Sequence, residues 1–220
     1  MYLILLGLPG AGKGTQASRL KERTGLAHIS SGDLFRENIG QGTDLGRKAK
    51  EYVDQGLLVQ DEITIAMILD RISRPDAERG FMLDGFPRTM QQAEALDAAL
   101  ETQGRQIDRA VYIRVSTEEL VSRLAGRWTC PKCQAVYHEV NQPPRSAGVC
   151  DNCGSDLTQR EDDKPGVVRK RIEIQLENLT PLVRYYGDQG KLVEVDGGRA
   201  LDDVTQDIAG ALARRPVREG

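Results

Sequence analysis

Nine residues, Gly7-Leu8-Pro9-Gly10-Ala11-Gly12-Lys13-Gly14-Thr15, follow directly on the apolar run Tyr2-Leu3-Ile4-Leu5-Leu6, and their types suit the binding of a polyphosphate. Glycine has no Cβ, so the backbone can wrap tightly and aim successive N–H groups at anionic oxygens, while the helix opening here turns its positive end to the same charge. Lys13 adds a mobile point charge for a phosphate in transfer, and Thr15 a hydroxyl for Mg²⁺ or a phosphate oxygen. The segment departs from G-x-x-x-x-G-K-[ST] at one place, since Gly14 stands where Ser or Thr is expected and Thr15 follows one position later. It reads as a variant of that motif rather than as an ordinary glycine-rich strand-to-helix turn.

The cysteines carry a second chemistry. All four occur in two C-x-x-C pairs, Cys130-Pro131-Lys132-Cys133 and Cys150-Asp151-Asn152-Cys153, with sixteen residues between them. Each pair can offer two thiolates from one tight knuckle, and two knuckles complete the tetrahedral S₄ shell of a closed structural Zn²⁺ site; iron would accept the same geometry. Disulfides are the alternative, and they suit an oxidising compartment. His138 is a rival ligand, but four thiolates already fill the shell. An insertion of under forty residues cannot bury enough apolar surface to hold its shape, and a metal replaces that missing core.

Arginines gather at both ends of this insertion: Arg123 and Arg127 at its start, Arg160, Arg169 and Arg171 near its end. Always charged and fork-shaped, they suit bidentate phosphate contacts and can offset the charge of a phosphoryl group in flight. The plainer alternative is a set of solvated helix-face charges.

Elements that would position these groups are visible as alternating strands and helices. Leu3–Leu6, Phe81-Met82-Leu83, Ala110–Val115 and Lys191–Val195 are expected strands, joined through helix-length connections that include Gly14–Arg23 and Gln91–Leu100. Such spacing implies parallel pairing with right-handed crossovers, a doubly wound α/β sheet. Two stretches interrupt it, one helical and polar over Ser30–Val59, the other holding the cysteines over Gly126–Asp163. The expected division is a core of 1–29, 60–125 and 164–220 with insertions at 30–59 and 126–163. Ala213–Gly220, with three arginines and a proline, reads as a frayed tail.

With 220 residues, 29% charged and 39% hydrophobic, and a net charge of −3, the composition is that of an ordinary soluble chain without a dominant nucleic-acid surface. No apolar run approaches a membrane span, and Met1–Leu8 lacks the basic flank of a signal peptide. A cytoplasmic monomer is expected.

Matching segments nearly end to end now carry a family resemblance: Gly7–Thr15, Ser30-Ser31-Gly32-Asp33-Leu34-Phe35-Arg36, Leu83-Asp84-Gly85-Phe86-Pro87-Arg88-Thr89, Gly126-Arg127, Val136-Tyr137-His138, Arg160-Glu161-Asp162-Asp163 and Val168-Arg169-Lys170-Arg171. The chain resembles the adenylate kinases of the bacterial long-lid type, in their zinc-bearing form. The resemblance implies transfer of a phosphoryl group from Mg-ATP to AMP giving two ADP, with 30–59 as the AMP-binding segment and 126–163 as a lid over ATP. It implies that Gly10, Ala11, Gly12, Lys13, Gly14 and Thr15 hold the ATP phosphates, with Arg127, Val136, Tyr137 and Arg199 around the rest of that nucleotide. AMP would be met by Ser31, Arg36, Leu57, Leu58, Val59, Gly85, Phe86, Pro87, Arg88 and Gln92. Arg123, Arg160 and Arg171 would converge on the transferred group, the latter two also on AMP, and Asp84, with Asp33 assisting, would orient the water shell of Mg²⁺.

Asp162 and Asp163 resemble lid-hinge carboxylates, with plain solvation as the alternative. Gln92 stands where the family's glutamine reads the adenine edge. Ser31 replaces the usual threonine, which is expected to keep AMP preference while loosening discrimination. Lys164-Pro165-Gly166, in place of a more acidic stretch, is expected to serve as a hinge, or else Pro165 opens a helix. A kinase for UMP or CMP and a non-enzymatic zinc-ribbon binding module are the rivals. A GTPase is excluded by the lack of an Asn-Lys-x-Asp segment.

Overall fold

In the computed structural model, residues 1–213 are described, apart from the Pro165 side chain; positions 214–220 of the expected tail lie outside the described residues. The run of apolar residues at the start forms β1 (Tyr2–Leu6), and Leu3, Ile4, Leu5 and Leu6 are at most 2% exposed. A strand apolar on both faces is stable only when both faces are covered, as in a parallel sheet between helical layers. Each such side chain contributes about 1.5–3 kcal/mol by leaving water.

The chain then alternates: α1 (Lys13–Thr24), β2 (Ala27–Ser30), α2 (Ser31–Gln41), α3 (Asp44–Asp54), α4 (Asp61–Ile72), β3 (Phe81–Asp84), α5 (Met90–Glu101), β4 (Arg109–Arg114) and α6 (Thr117–Ala125). A two-stranded antiparallel ribbon of β5 (Arg127–Thr129) and β6 (Val136–His138) follows, then α7 (Pro165–Asp188), β7 (Leu192–Asp196) and α8 (Leu201–Ala213). The main sheet is parallel throughout, in the order β2-β3-β1-β4-β7. The chain leaves β1 for one side of the sheet and β3 for the other, so β1 and β3 flank the switch point, outside whose carboxyl ends a ligand crevice opens. The loop after β1 and Asp84 at the end of β3 both lie there.

The four expected strands and two expected helices are present within one residue at each end. β2 was not anticipated: its four residues are too few for a periodic signal, and its last residue, Ser30, is also the N-cap of α2, where the Ser hydroxyl accepts from the Asp33 N–H. α7 begins at Pro165, as the helix-opening alternative has it, and a Cβ at Gly166 would meet nothing within 4 Å. Among the described residues no helix is long and apolar enough to cross a membrane.

Candidate active site

Helices α2, α3, α5 and α6 are each closed at the N-terminus by a Ser or Thr side chain, and α4 carries Asp61 and Glu62 in its first turn. Among α1–α6, only α1 has neither a side-chain cap nor an acid there. Its N-cap is Gly12 at φ 92°, a left-handed conformation open to glycine, so the first N–H groups of α1 face the crevice unshielded. An anion is the partner that such a terminus lacks. The unusual Gly14 also has a physical reason: a Cβ there would sit 3.3 Å from Asp84 Oδ2. The loop gives up the usual hydroxyl at that position and lets the carboxylate approach.

Lys13 Nζ donates to the Gly7 and Leu8 carbonyls at 2.8 and 3.0 Å. Burial lowers its pKa to about 8; Asp84 opposes this, and Arg88, Arg171 and Arg127 add to it. Burial pushes Asp84 the other way, yet the His28 contact and the charge of Lys13 hold its carboxyl below the usual range. His28 Nε2 lies 3.5 Å from Asp84 Oδ2. A polyphosphate beside Lys13 raises that pKa back toward 10.5, so ATP binding at about pH 8.5 is expected to take up a proton. Calorimetry in two buffers of different ionisation enthalpy measures this, and Lys13→Met is expected to abolish it. The same shift makes stability rise with pH between about 8 and 10.5, because the unfolded chain there holds more protons than the folded one.

The crevice gathers a dense set of guanidinium groups. Arg36, Arg88, Arg123, Arg127, Arg160 and Arg171 line it together with Gly10 to Thr15, Asp84, Val136, Tyr137 and Arg199. Burial, reinforced by Arg36 and Arg127, lowers Arg160 to about 9, and burial with Arg171 lowers Arg88 to about 10. Both stay charged at neutral pH, and the repulsion they feel from Arg36, Arg127 and Arg171 suits the site to a multiply charged anion. Asp163, fully buried, holds two of the set in place: Arg127 donates Nε to it at 2.7 Å and a terminal nitrogen beside it, while Arg171 reaches it at 3.2 Å. Arg171 also pairs with Asp162 at 3.0 Å. The solvation alternative for these two carboxylates is therefore overturned, since Asp162 is only 6% exposed. Arg169, by contrast, is exposed and does not line the crevice.

Beside it lies a second pocket, lined by Ser31, Phe35, Arg36, Leu57, Leu58, Val59, Gly85, Arg88, Gln92 and Arg171 among others. Apolar walls with a few polar groups suit a flat base, and the three arginines mark where its phosphate would lie. Ser31 Oγ donates to the Gly85 carbonyl at 2.6 Å. Gln92 is anchored at both ends of its amide, accepting from Arg88 N–H at 2.7 Å and donating to Asp61 at 2.6 Å. The second N–H of that amide is left over for the edge of a base. Phe86 is brought to neither pocket; its ring is 1% exposed in the main core. Pro87 lies on a smaller cavity below, with Lys13 and Arg88. Arg199 pairs with Asp203 and Asp207 at the crevice edge, Arg123 with Glu119 and the Gly197 carbonyl, and Arg36 with Asp33.

At the β5–β6 ribbon, Cys130 and Cys133 sit in the turn between the two strands, and the segment after β6 brings Cys150 and Cys153 back to them. Their sulfurs lie within 4.8 Å of one another, and the nearest pairs, Cys130–Cys153 at 3.4 Å and Cys133–Cys150 at 3.5 Å, are far from a disulfide length. All four are free. They converge as one metal's ligands must, and only Tyr137 and Leu157 join Cys130 and Cys150 in the small buried cluster around them. His138 does not join this cluster of ligand atoms; its Nδ1 accepts from the Val140 and Asn141 N–H groups at 3.1 Å.

A sequence model of the adenylate kinase family, described as "Adenylate kinase", matches residues 5–191. Proteins named adenylate kinase from Lachnoclostridium phytofermentans and Clostridioides difficile are each 51% identical to the chain, the first over 97% of it and 99% of the relative, the second over 96% and 98%. One from Caldicellulosiruptor bescii is 50% identical over 96% of the chain and 99% of the relative. The chain belongs to the adenylate kinase family.

Three groups around this adenylate kinase crevice were not foreseen. Asp61 anchors both Gln92 and the Thr89 hydroxyl, the latter at 2.7 Å; its only sequence signal is an acid in a helix's first turn. His28 is a lone histidine on an unforeseen strand. Gly126 reads in sequence as the boundary of the insertion, but a Cβ on it would strike His138 Nε2 at 2.6 Å. That clash would lever β6 away from β5 at the ribbon's base. Gly126→Ala is therefore expected to raise KM for ATP about tenfold with little change in KM for AMP, and the double variant Gly126→Ala/His138→Ala to recover most of it, the cost of a forced overpack being about 1–3 kcal/mol. Steady-state kinetics with each nucleotide varied in turn checks both.

Proposed function

We propose that this chain catalyses reversible phosphoryl transfer from Mg-ATP to AMP, giving two ADP. One observation supports this above the others: two adjoining pockets share Arg36, Arg88 and Arg171 at their boundary, and the open N-terminus of α1 with Lys13 faces the same place. Two phosphorylated nucleotides, one from each side, would bring their phosphates together there. The acceptor is already an anion, so no general base is required, and catalysis is positioning plus stabilisation of charge.

In this reading Gly10 to Thr15 cradle the donor phosphates and Lys13 follows the transferred group. Arg127, Val136, Tyr137 and Arg199 border the donor nucleoside. Arg36 and Arg88 grip the AMP phosphate, Ser31, Leu57, Leu58, Val59, Gly85 and Gln92 border its base, and Arg123, Arg160 and Arg171 close on the group in flight. Asp84, with Asp33 assisting, would orient the water shell of the Mg²⁺ that accompanies ATP, a cation that would neutralise phosphate charge. Cys130, Cys133, Cys150 and Cys153 hold Zn²⁺, with a structural task. The units are a core of 1–29, 60–125 and 164–220, an AMP-binding insertion at 30–59 and a lid at 126–163, in a cytoplasmic monomer that binds neither nucleic acid nor membranes.

A coupled assay of ADP formation from Mg-ATP with AMP, GMP, CMP and UMP in parallel tests the reading. Turnover with AMP above all others is the expected result. Preference for UMP or CMP would reassign the acceptor, and ATP binding without turnover would favour a binding module. Ser31 is expected to leave the other monophosphates slower but measurable; rates below a hundredth of the AMP rate would remove its loosening role.

A further inference from the structure

Gln175 lines the donor crevice, the neighbouring base-sized pocket and the smaller cavity beneath Lys13 and Arg88. It lies on α7 one turn beyond Arg171, on the same helix face. Its amide makes no hydrogen bond among the described residues. Arg88, on the walls of the same three cavities, is satisfied at one end only: Nε donates to the Gly85 carbonyl at 2.7 Å, and its terminal nitrogens have no partner. The surroundings supply cations in abundance and few acceptors.

We propose that Gln175 is a positioning residue for the acceptor phosphate. When AMP binds, its side-chain carbonyl accepts from the terminal nitrogens of Arg88, which have no other partner among the described residues, and fixes the plane of that guanidinium, while its NH₂ turns to the phosphate oxygens. This rests on the reading of the site as a nucleoside monophosphate kinase and adds a residue to it. An amide suits the place for a definite reason. A carboxylate would bind Arg88 more strongly but repel the phosphate, and an apolar side chain would leave the guanidinium unaligned, whereas the amide accepts from the cation and donates to the anion.

The test is equilibrium binding of AMP and of adenosine, measured by calorimetry for the wild-type chain, Gln175→Met, Gln175→Glu, Arg88→Lys and Arg88→Lys/Gln175→Met. Because hydrogen bonds to charged groups are among the stronger ones, Gln175→Met is expected to weaken AMP about tenfold or more while adenosine, which has no phosphate, is unchanged. Gln175→Glu is expected to weaken AMP at least as much and again to spare adenosine. In the Arg88→Lys background the Gln175→Met change should cost under about twofold, since aligned guanidinium geometry is what it protects. Equal losses for AMP and adenosine would assign Gln175 to packing alone and overturn the proposal, as would unchanged AMP binding or the same loss in both backgrounds. Wild-type ADP formation, run alongside, separates failure of this inference from failure of the kinase reading.

Discussion

Lys13→Ala is expected to lower kcat for ADP formation by about 10³-fold while the fold survives, a loss on the scale of removing one pre-placed charge-stabilising donor from an enzyme site. Nothing else in the crevice can replace it. The arginines would meet the phosphates as planar forks fixed by Asp162, Asp163 and backbone carbonyls, whereas the lysine head is a point charge on a flexible stem able to travel with a transferred group. Relief of repulsion from Arg88, Arg171 and Arg127 should at the same time stabilise the empty protein. The combination to look for is a sharp fall in kcat, measured at saturating ATP and AMP, together with a Tm equal to or above that of wild type. A fall in kcat of under tenfold would mean that Lys13 does not accompany the transferred group.

Removing the metal is the second large effect. Cys150→Ser, or chelation of the wild-type protein, is expected to unfold the ribbon without unfolding the sheet, because the buried cluster around the cysteines contains only Tyr137 and Leu157 besides sulfur. Structural Zn²⁺ sites hold apparent free energies of about 10–16 kcal/mol, far more than so small a cluster supplies by burial. The melt should split into two steps, with an early transition reported by Trp128, the chain's only tryptophan, on β5. KM for ATP should rise more than tenfold, since Arg127, Val136 and Tyr137 line the donor crevice from that ribbon, while KM for AMP stays within about twofold. Metal analysis of the purified protein distinguishes zinc from iron. A single unshifted melt after metal removal would show that the ribbon holds itself.

Much of this could be read from residue order. Leu3 to Leu6 announces a buried parallel strand, Gly12-Lys13 after it announces the anion site, and the C-x-x-C spacing announces four convergent sulfurs; each depends on local geometry that few residues specify. Contacts made across the sheet were not legible. His28 meets Asp84 only because β2 pairs with β3 in register, and Asp61 meets Gln92 only because α4 packs on α5. The buried state of Asp162 and Asp163 was left open for the same reason: a short acidic run looks solvated until the arginines that surround it are placed in space. Phe86 went the other way, a motif residue whose ring faces the core while its neighbours face the pockets.

The gathering of guanidinium groups also makes this protein's persistence depend on its substrates. Each like charge brought into the crevice weakens the empty fold, and each bound polyanion returns that loss, by about 2.7 kcal/mol at a hundred times its Kd. In a cell rich in nucleotides the chain would spend its time filled and long-lived. Under starvation the same molecule would open more often to proteases, so its abundance would follow the nucleotide pool without any dedicated regulator.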